Sequence, residues 1–465
     1  MRKNIVYILL VLTLATGYGG DFIKAAEASV SVIPTNIRIG LQREITEIKF
    51  SVQGAYTILR GNNGELITMA EPGKIYTLQR IEHHLGSPLI GVTCDGEQIA
   101  TFTGSIVLEQ VNREVSILSG NGALAKKASG LGLSAIDSSG ATTMLSKDIA
   151  NYSVLTSEGV SNLKVDDKLP LVTLHNQGGS KRYRGNFDFR LDSKGITVIN
   201  YLPLEEYLYS VVSSEMYADW PTEALKAQAV VARTYALYSN GQYLAQGFDI
   251  PANQQSQVYL GYDQETSTTI KAVDETRGQV LTYRGQLILA TFHSSSGGYT
   301  GNCGDIWHED VPYLKAKKDP YDINNQHYNW SVNLSAPQLV ALLTAQNIFY
   351  SQVLDMEVER DQTGSRVKKL FIKGLDVAGE YKETIISNAD QVRFLLGLKS
   401  SLFTMEKVFD EEDNLISLTI KGNGNGHGIG MSQYGARGMA IEGYNCQDIL
   451  QYYYTGVKLE SNYGM

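Results

Sequence analysis

Two helical stretches, each opened by a proline and set almost end to end, constrain this chain more than any other feature. Proline suits the first turn of a helix, where its missing N–H would have no partner anyway and its preset φ already matches. Pro203 opens LEEYLYSVVSSEM, and Pro221 opens a second stretch that runs to about Ser239 and stops at Asn240-Gly241. Around them the sequence is written in short strand-like pieces broken by Gly, Asn and Pro. IRIGL, ITEIKFSVQ, AYTILR, ELITMA and KIYTLQR come first, then a hairpin of YRGNFDFRL and GITVINYL. QVYLGY, GQVLTYRG and LILATFH follow the helices, and further helices are expected near 336–346, 389–397 and 432–442. The pattern predicts an α+β fold: a mixed domain with two core helices and β-rich lobes, preceded by a small β-rich module.

Composition divides the chain into four parts. Arg2 and Lys3, an apolar run from Ile5 to about Ala15 and the small-x-small site Ala26-Glu27-Ala28 read as a secretory signal peptide over residues 1–28. That run falls short of the roughly 20 apolar residues a membrane span needs, so a cleaved leader is expected, with an uncleaved anchor as the alternative. Residues 29–116 read as the β-rich N-terminal module, 117–181 as a Gly/Ser-rich bridge or insertion, and 182–460 as the main domain. With 43% apolar and 19% charged residues, the chain has the composition of a globular protein and not of a disordered one. A net charge of -9 gives no general attraction for nucleic acid or anionic lipid. Cys94, Cys303 and Cys446 lie too far apart to form a disulfide framework or a paired zinc motif. The 28 tyrosines against 12 phenylalanines suit a groove that holds a wet, polar polymer, because tyrosine joins a flat apolar face to a hydroxyl.

Four segments carry side chains suited to chemistry. In the first helix Leu204, Leu208, Val211 and Glu215 share one face, which places a carboxyl among apolar neighbours. Lost hydration raises such a pKa and lets the group hold a proton, as a general acid must; the alternative is that the helix frays at Ser213 or Ser214 and Glu215 faces water. Glu205 and Glu206 in the first turn are accounted for by the helix dipole. In the second helix Leu225, Ala229, Ala232 and Ala236 form a stripe for close packing, and Arg233 beside it either reaches over the edge to hold an acid or substrate, or makes a plain salt bridge. The segment FHSSSGGYTGNCGDIWHEDVPYLK gathers His293, Ser294, Ser296, Tyr299, Cys303, His308, Tyr313 and Lys315. Its histidines and cysteine lack paired ligand spacing, so no metal site is expected. GNGNGHGIGMSQYGARG misses the phosphate-binding, dinucleotide and nucleophile-elbow patterns, and leaves His427, Ser432, Gln433 and Tyr434 on a glycine-rich loop before a helix. Such a loop suits a carbohydrate or a peptide, or is a tight structural turn.

Taken together, NYLPLEEYLYSVVSSEM, WPTEALKAQAVVARTYA, FHSSSGG, PYLKAKKD, RFLLGLKSSLF and GHGIGMSQYGA resemble the stage II sporulation protein D/LytB family, from about Arg182 to Val457. The sporulation branch of that family comprises lytic transglycosylases that cut peptidoglycan glycan strands, and the LytB branch is described as enhancers of a cell-wall amidase. The resemblance implies a family-type α+β catalytic domain, with Glu215 as the catalytic glutamate and Arg233, Tyr313 and Lys315 around the cleft. It also implies substrate contacts from Gln257 and Tyr259 of QVY, His293 and Ser294 of FHSSSGG, and His427, Ser432 and Gln433 of GHGIGMSQ. Some members carry zinc ligands just before QVY, whereas this chain reads FDIPANQQSQVY, so neither a metal nor another cofactor is expected.

The implied reaction is non-hydrolytic cleavage between N-acetylmuramic acid and N-acetylglucosamine, leaving 1,6-anhydro ends on strands stripped of peptide. One carboxyl group serves as acid and then base, so no second carboxylate at glycosidase spacing is required. The implied partners are glycan strands and a cell-wall amidase, with no nucleic acid, and a membrane only if the leader is left uncleaved. The implied location is outside the cell, in the wall or on the outer membrane face. Two rivals stand beside this reading. One is a binding module that grips glycan and stimulates an amidase; the other is a metal-dependent amidase, for which convincing ligands are lacking.

Overall fold

In a computed structural model the described residues are 36–83, 86–111, 169–176, 178–307, 310–323, 325–461 and 463, together with short strand pieces between 116 and 162. The leader expected over 1–28 lies outside them. The fold is α+β.

Two sheets dominate the N-terminal half. The first has seven strands in the order Ile250–Pro251, Asn36–Ile45, Ile196–Pro203, Asn186–Leu191, Ile106–Gln110, Tyr56–Arg60 and Leu66–Ala70. The second has six, in the order Gly179–Tyr183, Leu171–Asn176, Glu47–Gln53, Tyr76–Ile81, Leu89–Cys94 and Glu97–Phe102. Phe50 of the second sheet stacks on Phe189 of the first at 5.3 Å, so the inward residues of both alternations form one core.

This interleaving corrects the expected division. Asn36–Ile45 pairs antiparallel with Ile196–Pro203, setting Ile37 opposite Leu202, and Ile106–Gln110 pairs with Asn186–Leu191. Residues 36–110 are therefore not a module placed before the main domain, because their strands close its sheets. The boundary at 182 falls inside the strand Gly179–Tyr183, which belongs to the second sheet with Leu171–Asn176. The remainder of the bridge includes three short antiparallel pairs, among them Ser116–Leu118 with Leu124–Lys126.

Helix α1 (Leu204–Glu215) packs beside the first sheet, and α2 (Thr222–Tyr238) and α3 (Ser267–Glu275) pack on α1 and on each other. Ala229, Ala232 and Ala236 of α2 are fully buried, which lets neighbouring elements approach closely. The sequence reading passed over α3, whose N-terminus is set by a capping box between Thr266 and Thr269. Helix α4 (Cys303–Ile306) is a single turn.

A second lobe follows, with a core of its own that includes Leu339, Leu343, Val353, Met356, Leu370, Ile372 and Leu418. It consists of α5 (Ala336–Ala345), α6 (Ala389–Leu395) and two three-stranded sheets. The buried Arg366 ties this lobe to the first by donating to the carbonyls of Ser296 at 2.7 Å and Tyr299 at 2.9 Å. The chain then returns to the first core through α7 (Gln433–Ile441) and α8 (Cys446–Tyr453). No described helix is long and apolar enough to cross a membrane.

Candidate active site

Glu215 is the last residue of α1, on the face that buries Leu208 and Val211. Its side chain is half-buried and held at both oxygens: the Val258 backbone N–H donates to Oε1 at 2.9 Å, and Gln433 Nε2 donates to Oε2 at 3.3 Å. Burial holds the carboxyl above its ordinary range, and these two donors pull part of the way back by favouring the anion. Its position at the negative end of the helix dipole, in a last turn without a basic residue, works in the same upward direction. The structure therefore favours the buried-face reading of Glu215 over a frayed, solvated end.

Three sequence motifs converge on this carboxyl. QVY supplies the Val258 N–H. Phe292–His293 pairs in parallel with Met431–Ser432, which brings FHSSSGG beside GHGIGMSQ and starts α7 so that Gln433 faces Glu215. Ser432 caps that helix by accepting from Gly435 N at 3.2 Å, and its hydroxyl donates to Asp322 at 2.8 Å. Asp322 also accepts from Ser295 Oγ and from the Ser296 and Gly297 N–H groups. Beside it Asp319 accepts from Ser296 Oγ at 2.9 Å and Tyr453 OH at 3.0 Å, while burial and the neighbouring Asp322 push its carboxyl up to about 7.

Aromatic side chains extend outward from the acid. Tyr217, 60% exposed, lies two residues beyond Glu215 and its ring is 5.7 Å from Trp220. Trp220 meets Tyr434 edge-on at 4.9 Å, Tyr434 meets His327 at 5.5 Å, and Arg437 lies 5.6 Å over the Trp220 ring. Flat apolar faces with polar edges, next to a carboxyl that can hold a proton, fit a sugar polymer with an acid-labile linkage. Trp220 and Tyr217 were missed in the sequence; the signal was their position directly after the SEM motif.

Several residues expected at the cleft are packed elsewhere. Arg233 is 1% exposed and donates to both oxygens of Glu205, at 2.9 and 2.6 Å, and to the carbonyls of Val273 and Gln279. It lies beside the alanine stripe and follows it inward, where a desolvated guanidinium has to be satisfied by a carboxylate and carbonyls. The same pair corrects the account of Glu205, which is more than a dipole partner. Gln257 is buried, accepting from Tyr207 OH at 3.1 Å and donating to the Ala232 carbonyl at 3.2 Å. Tyr259 is buried with its hydroxyl on Asn200 at 2.8 Å. These two residues flank Val258 and hold its N–H in place instead of touching substrate.

His293 is buried against the Ile429 carbonyl and its pKa is driven well below the ordinary range by desolvation, so it is neither a surface contact nor a proton carrier near neutrality. The His427 ring packs between His293 and Trp307, at 5.5 and 5.0 Å, and burial lowers its pKa to about 4. Ser294 contributes its carbonyl to Tyr434 N, and Ser432 is a buried cap. The Tyr313 hydroxyl accepts from Leu289 N at 3.0 Å, and Lys315 pairs with Asp310 near the surface. Of the residues named from the sequence, Gln433 is the one whose side chain donates to Glu215. Among the described residues no group of three His, Cys, Asp or Glu side chains is placed to hold a metal ion, and His308 lies outside them.

Comparison with known proteins identifies the family. The stage II sporulation protein family profile matches residues 192–283, and a domain of unknown function matches 311–430, which takes in the second lobe. Stage II sporulation protein D of Bacillus subtilis is 34% identical over 273 residues, covering 56% of this chain and 74% of that protein. Its counterpart in Bacillus amyloliquefaciens is 33% identical over the same shares of each chain. The amidase enhancer of Bacillus subtilis is 32% identical over 399 residues, covering 70% of this chain; the chain spans 54% of the enhancer's own length. The chain belongs to the stage II sporulation protein D/LytB family.

Proposed function

We propose that the chain is an exported peptidoglycan lytic transglycosylase with a cell-wall role. The observation that carries this reading is Glu215, its pKa raised by burial and its carboxyl held by one backbone and one amide donor, with the mutually packed Tyr217, Trp220 and Tyr434 rings on the residues that follow Glu215 and Gln433. Protonated Glu215 gives its proton to the glycosidic oxygen as the bond from muramyl C1 breaks. The resulting carboxylate takes the proton of the muramyl 6-hydroxyl, whose oxygen closes on C1 to form the 1,6-anhydro ring. The proton count returns to its start, and water is not consumed.

Two halves of the cycle need opposite protonation states, and the surroundings serve both. Burial retains the proton for the first half, while the Val258 and Gln433 donors stabilise the anion of the second. The Gln433 amide also lies 3.5 Å from Gln228 Oε1, and Gln228 Nε2 is buried without a partner. A half-turn of both the Gln433 and the Gln228 amides would present the Gln433 carbonyl to the protonated acid and to Gln228 Nε2 together.

The longer span shared with an amidase enhancer supports a second reading, a glycan-gripping module that stimulates an amidase without cutting. Incubating the protein with peptide-stripped peptidoglycan separates the two: 1,6-anhydromuramyl products support the first reading, and intact strands with retained binding support the second.

A further inference from the structure

The second lobe contains a groove of about 670 Å³ whose walls include Asn329, Ser331, Arg360, Thr404, Lys421 and Asn423. It lies where the strands Trp330–Ser335, Phe403–Phe409 and Leu415–Gly422 meet the turn after Gln352–Arg360. Two features of its chemistry stand out. Amides and hydroxyls line it together with Trp330 and Phe403, and its lining residues include two cations and no carboxylate, in a chain of net charge -9. Arg360 is fixed by its donations to the Ser365 and Phe403 carbonyls, at 3.1 and 2.7 Å. Lys421 pairs with Glu406 on the exposed surface, an arrangement that exchanges partners at little cost.

The groove connects to the acid through consecutive contacts. Asn423 Oδ1 accepts from Asn329 N at 2.9 Å, and Gly424 N donates to the His327 carbonyl at 2.9 Å. The His327 ring lies 5.5 Å from Tyr434, which leads through Trp220 to Tyr217 beside Glu215. A chain of ring and backbone contacts thus links the neighbourhood of the carboxyl to the groove that holds Arg360 and Lys421.

We propose that this groove is a distal subsite for the same glycan strand, taking an N-acetylated sugar that bears a carboxylate. This rests on the glycan-cleaving reading for its substrate, although binding at the groove does not require the bond to be cut. The amides and hydroxyls pair with acetamide and sugar hydroxyls, and Lys421 and Arg360 face the carboxylate. The second lobe then acts as a grip that favours long, anionic strands over short oligosaccharides, and its contribution weakens with salt.

The test uses the full mature chain bearing Glu215→Gln, so that binding is measured without turnover. Affinities for peptide-stripped glycan strands and for a muramyl tetrasaccharide are compared by calorimetry in this protein and after adding Thr404→Trp, which fills the groove from an exposed position, or Lys421→Ala. The ratio of long-strand to tetrasaccharide affinity is expected to fall about tenfold in each, the size of one lost charge-assisted hydrogen bond. An unchanged ratio in both variants overturns the subsite, including the case where both affinities fall together through damage to the fold. Absence of cleavage by the unsubstituted chain, with the ratio falling as expected, removes the catalytic reading and leaves the subsite standing.

Discussion

Replacing Arg233 with methionine tests whether this residue serves the cleft, as the family resemblance implies, or the core, where the structure places it. The guanidinium makes two charge-assisted bonds to Glu205 and one bond each to the Val273 and Gln279 carbonyls, with 1% of its side chain and 14% of the Glu205 side chain exposed. Removing one partner of a buried pair leaves an uncompensated charge, at a cost of about 3–5 kcal/mol. Methionine fills most of the volume, so the loss is mainly electrostatic. Adding Glu205→Gln removes the stranded charge, and the double variant is expected to be more stable than Arg233→Met alone. Urea denaturation reads the loss as a lower midpoint at unchanged slope. The folded fraction of Arg233→Met should bind glycan as the parent does. A full loss of glycan binding with an unchanged urea midpoint would refute this assignment and return Arg233 to the cleft.

Three further predictions follow from the site. Gln433→Leu removes a donor that favours the Glu215 carboxylate, so its pKa rises further, the protonated form persists to higher pH and the alkaline limb of the cleavage profile moves up; an unmoved limb would contradict the contact. Trp220→Ala is expected to weaken glycan binding about tenfold, read by calorimetry, because it removes the central ring of the aromatic row; equal affinity would exclude that surface. Asp319, raised from 3.8 to about 7, binds more protons folded than unfolded, so its contribution is present below pH 4 and lost as pH rises through 7. Asp319→Asn should flatten stability between those limits, and urea midpoints that still fall between pH 5 and pH 8 would contradict that source.

Glu215 was legible because helical spacing puts a carboxyl on an apolar face whatever the partner elements are. The partners were not legible. A period of two tells which side of a strand turns inward but not which distant strand lies beside it, so the pairing of Asn36–Ile45 with Ile196–Pro203 could not be read and the N-terminal strands were taken for a separate module. Arg233 shows the same limit for charge: its place beside an alanine stripe is readable, but its partner lies on another helix and its fate depends on how the helices pack. The short α3 escaped because Ser267, Thr268 and Thr269 weaken the apolar period that marks a helix. The GHGIGMSQ loop kept two readings in the sequence, and the structure shows the tight turn together with one side chain directed to the acid. Ser432 and His427 hold the turn, while Gln433 reaches the acid.

The most direct measurement is mass spectrometry of the soluble products released from peptide-stripped peptidoglycan by the unsubstituted chain and by Glu215→Gln. The account predicts 1,6-anhydromuramyl ends from the unsubstituted protein and a fall of roughly 10²–10⁴ in their rate of appearance after the substitution. Hydrated reducing ends, or anhydro ends formed equally by Glu215→Gln, would contradict it.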